Sequence, residues 1–261
     1  MNTCVAERSD LRETFDVLGV GVDAVQMEGA IARIERWIAE RSRARMVTLT
    51  NVHAVMQAHE DEEFREVLNS ADMVCPDGMP LIWVAKSRGL AMKRRVCGPE
   101  LMLEFCRRTH EKGYSHYFYG GAEGVAELLA KRLKERFAGM RIAGWFSPPF
   151  RPLTREEDAE VVARINESRA DVLWVGLGCP KQERWMKEHR ESLQVGVMLG
   201  VGQAFDIHAG TLKQAPKWMR ESGLEWMFRL GSEPRRLWKR YLRTNSKFLI
   251  SLVLSQSRAG S

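Results

Sequence analysis

The sequence contains no apolar run that approaches the roughly 20 residues needed for a membrane-spanning helix. Its amino terminus is polar and charged, and it lacks an apolar core of signal-peptide length. These absences predict a protein that is neither secreted nor inserted across a membrane. They do not exclude a chain that lies on a membrane surface.

Cysteine is also scarce. The five cysteines are an odd number and include no Cys-x-x-Cys pair, so neither a disulfide framework nor a zinc site is supported. A reducing cytosol is the expected compartment. The cysteines are Cys4, Cys75, Cys97, Cys106 and Cys179.

Net charge discriminates little, because +6 is too small to distinguish nucleic acid, anionic lipid and phosphorylated substrates as partners. Its distribution is more informative. Residues 229–247 contain seven basic residues and one acid, a local charge equal to that of the whole chain. Aromatic and aliphatic residues are interleaved with these charges, a combination typical of an interfacial helix near anionic lipid. A terminal helix that merely presents its charges to water is the alternative.

Short apolar runs alternate with helix-periodic segments through most of the chain, which predicts an α/β fold. We expect a Rossmann-like, mostly parallel sheet with flanking helices in residues 1–213, followed by a basic helical appendage in residues 214–261. The apolar runs 171–175 and 195–199 are predicted as interior strands. Residues 53–68 are predicted as one helix, and another helix is expected to begin at Glu123.

Three predicted strand ends suggest a binding site. Asp77 follows one strand in Pro76-Asp77-Gly78, and glycines follow two others in Val175-Gly176-Leu177-Gly178 and Leu199-Gly200-Val201-Gly202. Glycines let backbone N–H groups approach a phosphate or sugar, and a neighbouring acid can take a proton from a hydroxyl. Each motif taken alone also fits an ordinary turn.

Several longer motifs occur in order over about residues 14 to 245 and together resemble the WecG/TagA/CpsF glycosyltransferases. They are Thr50-Asn51-Val52-His53, Ala71-Asp72-Met73-Val74-Cys75-Pro76-Asp77-Gly78-Met79-Pro80, Arg95-Val96-Cys97-Gly98-Pro99-Glu100-Leu101, Tyr119-Gly120-Gly121, Val175-Gly176-Leu177-Gly178-Cys179-Pro180-Lys181-Gln182-Glu183, Gly200-Val201-Gly202-Gln203-Ala204-Phe205-Asp206 and Ala215-Pro216-Lys217-Trp218.

The resemblance implies inverting transfer of a sugar from a UDP-sugar to a polyprenyl-diphosphate-linked saccharide in exopolysaccharide or cell-surface glycan synthesis. It implies a peripheral location at the cytoplasmic face of the membrane and no essential metal or other cofactor. Asp77 matches the family's proposed catalytic base, and Asn51 and Thr50 are further catalytic candidates. Leu49 occupies a position where teichoic-acid-type members have threonine, so Thr48 or Thr50 is the candidate to supply that hydroxyl.

The resemblance also implies a set of substrate-binding residues. Arg95 is expected to meet either a phosphate or Glu100, and three arginines of the appendage are expected to reach the diphosphate. The substrate-binding candidates are Arg95, Gly120, Gly121, Gly176, Gly178, Gln182, Glu183, Gly200, Gly202, Gln203 and Asp206, and the diphosphate and membrane candidates are Arg229, Arg236 and Arg240.

Two other function classes stay open at this stage. Glycine-rich βα turns also suit an NAD-dependent oxidoreductase, but no Gly-x-Gly-x-x-Gly follows the first strand with an acid about 20 residues later. The basic tail also suits a module that binds nucleic acid or acidic lipid, but no RNA-binding aromatic motif or DNA-reading helix accompanies it. The transferred sugar, the acceptor saccharide and formation of a homo-oligomer are left open.

Overall fold

The computed structural model describes residues 12–232, 234, 244–252 and 254. Its centre is a six-stranded sheet with the order β4-β3-β8-β7-β5-β6, in which every neighbouring pair is parallel. An antiparallel hairpin, β1-β2, lies beside β4. The strands are β1 (Thr14–Val17), β2 (Val20–Asp23), β3 (Arg45–Thr50), β4 (Met73–Pro76), β5 (Ser115–Gly120), β6 (Arg141–Phe146), β7 (Val172–Gly176) and β8 (Val197–Gly200).

Helices cover both faces of this sheet, which confirms the predicted α/β class. The two apolar clusters lie on opposite faces because successive strand residues point in opposite directions: Leu173 belongs to one cluster and Trp174 to the other. The helices are α1 (Met27–Glu40), α2 (Val52–Glu60), α3 (Glu62–Asn69), α4 (Met79–Ser87), α5 (Gly98–Thr109), α6 (Val125–Arg136), α7 (Arg155–Glu167), α8 (Lys181–His189), α9 (Ala204–Ala209), α10 (Lys217–Glu221) and α11 (Glu225–Ser232).

The strand order creates a crevice between β3 and β8. After β3 the chain turns into α2, which packs on one face of the sheet, whereas after β8 it turns into α9, which packs on the other. The two connections diverge at the carboxyl ends of adjacent parallel strands, and open α/β sheets place their ligands at such a divergence. The fold therefore predicts a ligand site at this edge of the sheet.

Two predicted helix boundaries were wrong. The helix expected over residues 53–68 is broken at Asp61, whose backbone is extended and whose carboxylate accepts a hydrogen bond from Phe64 N at 3.0 Å. An aspartate that caps a new helix competes with helix continuation, although the apolar periodicity runs through it. The helix expected at Glu123 begins at Val125, because Gly124 adopts a left-handed conformation with φ 75°.

The described part of the chain beyond residue 213 is mostly helical, with α10, α11 and a further helix over residues 244–252. Two ion pairs, Arg220 with Glu100 and Lys247 with Glu60, join this part of the chain, called the tail below, to the preceding α/β part, called the sheet domain. Among the residues described, no helix combines the length and apolarity needed to cross a bilayer. The division at residue 213 itself stays a prediction.

Candidate active site

A cleft of about 760 Å³ opens at the carboxyl ends of β3, β4, β7 and β8. Its volume falls within the range typical of small-ligand sites. Polar side chains and glycines form one part of its lining, including Asn51, His53, Asp77, Arg95, Gly178, Gln182, Gly200, Gly202, Gln203, Glu225 and Arg229. Apolar side chains form another part, including Val52, Met79, Trp83, Val84, Trp226, Phe248, Leu249 and Leu252.

Asp77 is fixed between β4 and α4 by its backbone. Its N–H donates to the carbonyl oxygen of Thr50 at 2.8 Å, and the preceding Pro76 carbonyl accepts from Val96 N at 2.9 Å. Gly78 follows with φ 144°, a conformation that side chains other than glycine rarely adopt. The turn thus presents the carboxylate to the cleft and starts α4 immediately afterwards.

The environment of Asp77 suits a base that works near neutral pH. Its side chain is 23% exposed, yet the cleft walls remove enough water that burial raises its pKa from 3.8 to about 6. Arg95 opposes this rise, with its Nη1 atom 3.8 Å from Asp77 Oδ1, whereas the negative charge of Glu225 adds to it. A carboxylate with a pKa near the working pH can both remain ionised and accept a proton effectively.

Glu225 joins the two arginines of the cleft, and sequence reasoning missed it. Glu225 begins α11, and its carboxylate accepts hydrogen bonds from Arg95 Nη2 and from Arg229 Nε, the latter at 2.9 Å. Burial alone would raise the pKa of Glu225, but Arg229 and Arg95 outweigh it and lower that pKa below its ordinary value. No sequence pattern identified it, since an acid at the start of a helix is ordinary.

Arg95 therefore meets two acids, but not the one expected from sequence. It lies between Asp77 and Glu225. Glu100 pairs instead with Arg220, so the alternative that joined Arg95 to Glu100 was wrong.

Gln182 connects the two glycine-rich strand ends. Its side-chain oxygen accepts from the N–H groups of Gly178 and Gly202 at 3.2 and 3.1 Å, and its nitrogen donates to Glu183 Oε1 at 2.8 Å. The bond to Glu183 fixes which end of the amide faces the glycines. These two N–H groups thus bond to protein, although the sequence reasoning had assigned them to a ligand.

Asn51 lines the cleft and also caps α2. Its side-chain oxygen accepts from the N–H groups of His53 and Ala54 at 3.0 and 3.2 Å. This fixes the amide and makes its nitrogen the group that remains for a ligand. Leu49 lines the cleft as well, whereas Thr48 and Thr50 are buried away from it with their hydroxyl oxygens 3.3 Å apart.

Several of the predicted binding residues lie outside the cleft lining. A Cβ added to Gly120 would lie 2.5 Å from the backbone of Gly176, and one added to Gly176 would lie 2.6 Å from the ring of Phe205. Glycine is therefore required at both positions by close packing alone. Gly121, buried Glu183 and Asp206 are likewise absent from the lining, and Asp206 Oδ1 accepts from the Thr211 hydroxyl at 3.3 Å.

The remaining candidates divide in a similar way. Gly178, Gln182, Gly200, Gly202, Gln203 and Arg229 line the cleft. Arg236 and Arg240 lie outside the described residues. Across residues 12–232 and the described part of the tail, no group of three or more His, Cys, Asp or Glu side chains is arranged to hold a metal ion.

The sequence profile of the glycosyl transferase WecG/TagA/CpsF family matches residues 15–261. The chain belongs to this family. Among curated relatives, the N-acetylglucosaminyldiphosphoundecaprenol N-acetyl-beta-D-mannosaminyltransferase of Bacillus spizizenii is 28% identical over 236 residues, covering 90% of this chain and 89% of the relative. The enzyme of the same name from Staphylococcus aureus is 29% identical over 246 residues, covering 93% and 92%. The chain is thus a glycosyltransferase, and its cleft is the candidate active site.

Replacing Asp77 by asparagine should separate catalysis from stability. Transfer should fall by about 10²-fold or more because the amide cannot accept the proton. The shift of the pKa from 3.8 to about 6 means that the ionised carboxylate costs the folded state up to about 3 kcal/mol above pH 6. Asp77→Asn should therefore melt a few degrees higher than the native protein at pH 8, with the difference shrinking as pH falls through 6.

Melting curves at pH 5 and pH 8, together with a transfer assay, test both parts. Glu111→Gln removes one charge from a side chain that is 86% exposed and serves as the control. Native-like turnover by Asp77→Asn would remove Asp77 from the mechanism.

Transfer by the native glycosyltransferase should depend on pH through Asp77. Below a pKa of about 6 the carboxyl holds a proton and cannot accept another, so kcat/KM should rise with pH through that value. Initial rates measured between pH 5 and 9 test this rise of kcat/KM with pH. A kcat/KM that did not change with pH over that range would contradict the assignment of Asp77 as the base. The residual transfer by Asp77→Asn should not show this rise with pH.

Proposed function

We propose that this glycosyltransferase moves a sugar from a UDP-sugar to a polyprenyl-diphosphate-linked saccharide, with inversion at the anomeric carbon, during synthesis of exopolysaccharide or another cell-surface glycan. The observation that carries the proposal is a desolvated carboxylate, Asp77, beside two arginines in one large cleft. The match, over 90% and 93% of this chain, to curated transferases named for a diphosphoundecaprenol-linked acceptor supports the substrate class.

The proposed reaction is one displacement. The acceptor hydroxyl oxygen forms a bond to the anomeric carbon as the bond from that carbon to the UDP oxygen breaks. The hydroxyl proton passes to Asp77, and the electron pair of the broken bond stays on the departing diphosphate. Attack from the side opposite the leaving group inverts the anomeric centre.

Positive charge for the leaving group would come from the arginines of the cleft. Arg229 lines the cleft and is oriented by Glu225, and Arg95 lies on the other side of the same acid. Guanidinium groups hold phosphate oxygens in a fixed fork geometry and do not lose their charge near neutral pH. Arg236 and Arg240, beyond the described residues, are proposed to add to this charge. The proposal accordingly needs no metal, and activity should persist in a chelator.

Association with a membrane surface is part of the proposal, because the acceptor is anchored in lipid. Helix α4 and the tail expose large apolar side chains near the cleft, including Trp83 at 55%, Leu249 at 63% and Ile250 at 60%. The basic residues of the tail would add attraction to anionic headgroups. The proposed site of action is the inner face of the cell membrane.

A donor and acceptor screen tests the reaction. UDP-N-acetylmannosamine is the first donor to test because the curated relatives are named for that sugar. With an N-acetylglucosaminyl-diphosphate-polyprenol acceptor we expect release of UDP and a product of inverted anomeric configuration, determined by NMR. The Asp77→Asn variant is the control. A product with retained configuration, or no transfer from a broad panel of UDP-sugars, would refute the proposed reaction.

A vesicle experiment tests the membrane surface. Replacing Leu249 and Ile250 by serine should weaken sedimentation with anionic vesicles roughly tenfold, because both lose apolar area that would enter the interface. Phe150→Ser is the matched control, since that ring is fully exposed but lies on the loop after β6 and not at the cleft. Unchanged binding of the double variant would exclude this face as the membrane contact.

A further inference from the structure

Four charged groups form a row in the cleft, and Glu225 is the link between them. Asp77 faces Arg95, Arg95 pairs with Glu225, and Glu225 pairs with Arg229. Two carboxylates and two guanidiniums balance, so the row is neutral. Asp77 and Arg95 belong to the sheet domain, whereas Glu225 and Arg229 come from α11.

Arg95 is shared unequally between the two acids. Its Nη2 atom donates to Glu225 Oε2, whereas its Nη1 atom lies 3.8 Å from Asp77 Oδ1, which is beyond hydrogen-bond distance. A guanidinium prefers to hold a carboxylate through two parallel hydrogen bonds. Glu225 therefore competes with Asp77 for Arg95 and engages the arginine more closely.

Glu225 is also buried, which makes this competition effective. The residue is 9% exposed and has both of its oxygens engaged, Oε1 by Arg229 and Oε2 by Arg95. A buried acid that bridges two arginines holds both guanidiniums in fixed orientations, because leaving either unpaired costs free energy.

We propose that Glu225 is a positioning residue that holds Arg95 away from Asp77 and directs Arg229 into the cleft, so that the Asp77 carboxylate stays available to accept a proton. The catalytic consequence rests on the proposed function, whereas the competition for Arg95 does not. A base that closed on a guanidinium would be a weaker proton acceptor and would be occluded from an incoming hydroxyl.

The charged groups that act on Asp77 make the expected sign clear. Besides Arg95 and Glu225 they are Arg229 on α11 and Glu100 on α5, and Asp77 lies near the buried thiols of Cys75 and Cys97. Replacing Glu225 by glutamine removes a negative neighbour and releases two arginines. Each change favours the ionised carboxylate, so the pKa of Asp77 should fall from about 6.

A purely structural role would give a different result, and the chain offers a matched control. Glu100 also forms an ion pair with the tail, through Arg220. Among the described residues it forms no ion pair with Arg95 or Arg229. If Glu225 served only to fasten the tail to the sheet domain, Glu100→Gln and Glu225→Gln would both lower the melting temperature, and Glu225→Asp, which keeps the negative charge near Asp77, would leave the titration of Asp77 nearly unchanged.

The test is a carboxyl titration of the full chain by NMR with carbon-13-labelled aspartate, in which the Asp77 signal is identified by its loss in Asp77→Asn. In Glu225→Gln we expect its midpoint about one pH unit lower or more, and in Glu100→Gln a much smaller change. In Glu225→Gln, the rise of kcat/KM with pH should move to lower pH together with the Asp77 midpoint. Transfer at pH 8 should fall roughly tenfold because the base is weaker.

An unmoved midpoint in a Glu225→Gln protein with native-like melting would overturn the proposal, and so would an equal shift in Glu100→Gln. If Glu225→Gln does not fold, Glu225→Asp is the second variant. It keeps the negative charge but shortens the reach to the two arginines, so the midpoint of Asp77 should still fall in this variant. If the native protein transfers no sugar but the Asp77 midpoint shifts in Glu225→Gln, the positioning role is supported and the proposed function is refuted. Transfer with an unmoved midpoint would do the reverse.

Discussion

The site depends on a carboxylate held where its charge is disfavoured. Backbone hydrogen bonds fix the main chain of Asp77 at the end of β4, where burial raises the pKa of its carboxyl. Arg95 offsets part of the cost, and Glu225 limits how much. The pKa near 6 is a balance between desolvation and the opposing charges of two arginines and two acids, and none of these contributions is visible in the motif Pro-Asp-Gly alone.

Close packing at glycines shapes the part of the site around β7. Gly120 lies against the backbone of Gly176, and Gly176 lies against the Phe205 ring, so β5, β7 and α9 approach more closely than larger residues would permit. Gln182 then joins the ends of β7 and β8 through Gly178 and Gly202. Glycines that look alike in sequence thus have different roles, some lining the cleft and others allowing its walls to pack.

The segment after residue 213 completes the cleft instead of merely following it. Glu225 and Arg229 supply charge, while Trp226, Phe248 and Leu249 extend the apolar lining beside Trp83 of α4. A cleft lined by both charged and apolar side chains matches the proposed substrate, which has a charged diphosphate and a lipid chain. The same segment contains ten basic and three acidic residues, a net charge of +7 against +6 for the whole chain, so its pairing with the sheet domain affects both electrostatics and shape.

The sequence by itself determined the α/β class and the family, because periodicity and strand-end motifs are local properties of the chain. It also selected Asn51, Asp77, Gln182 and Arg229, which line one cleft in the structure, while their roles stay predictions. It did not determine the break at Asp61, where a side-chain cap overrides an uninterrupted apolar pattern. Only the tertiary structure decided that Arg95 pairs with Glu225, that Thr50 is buried outside the cleft lining, and that Gly176 packs against Phe205. Those contacts join residues up to 130 positions apart, and their energies depend on burial and on distances that arise only once the chain has folded.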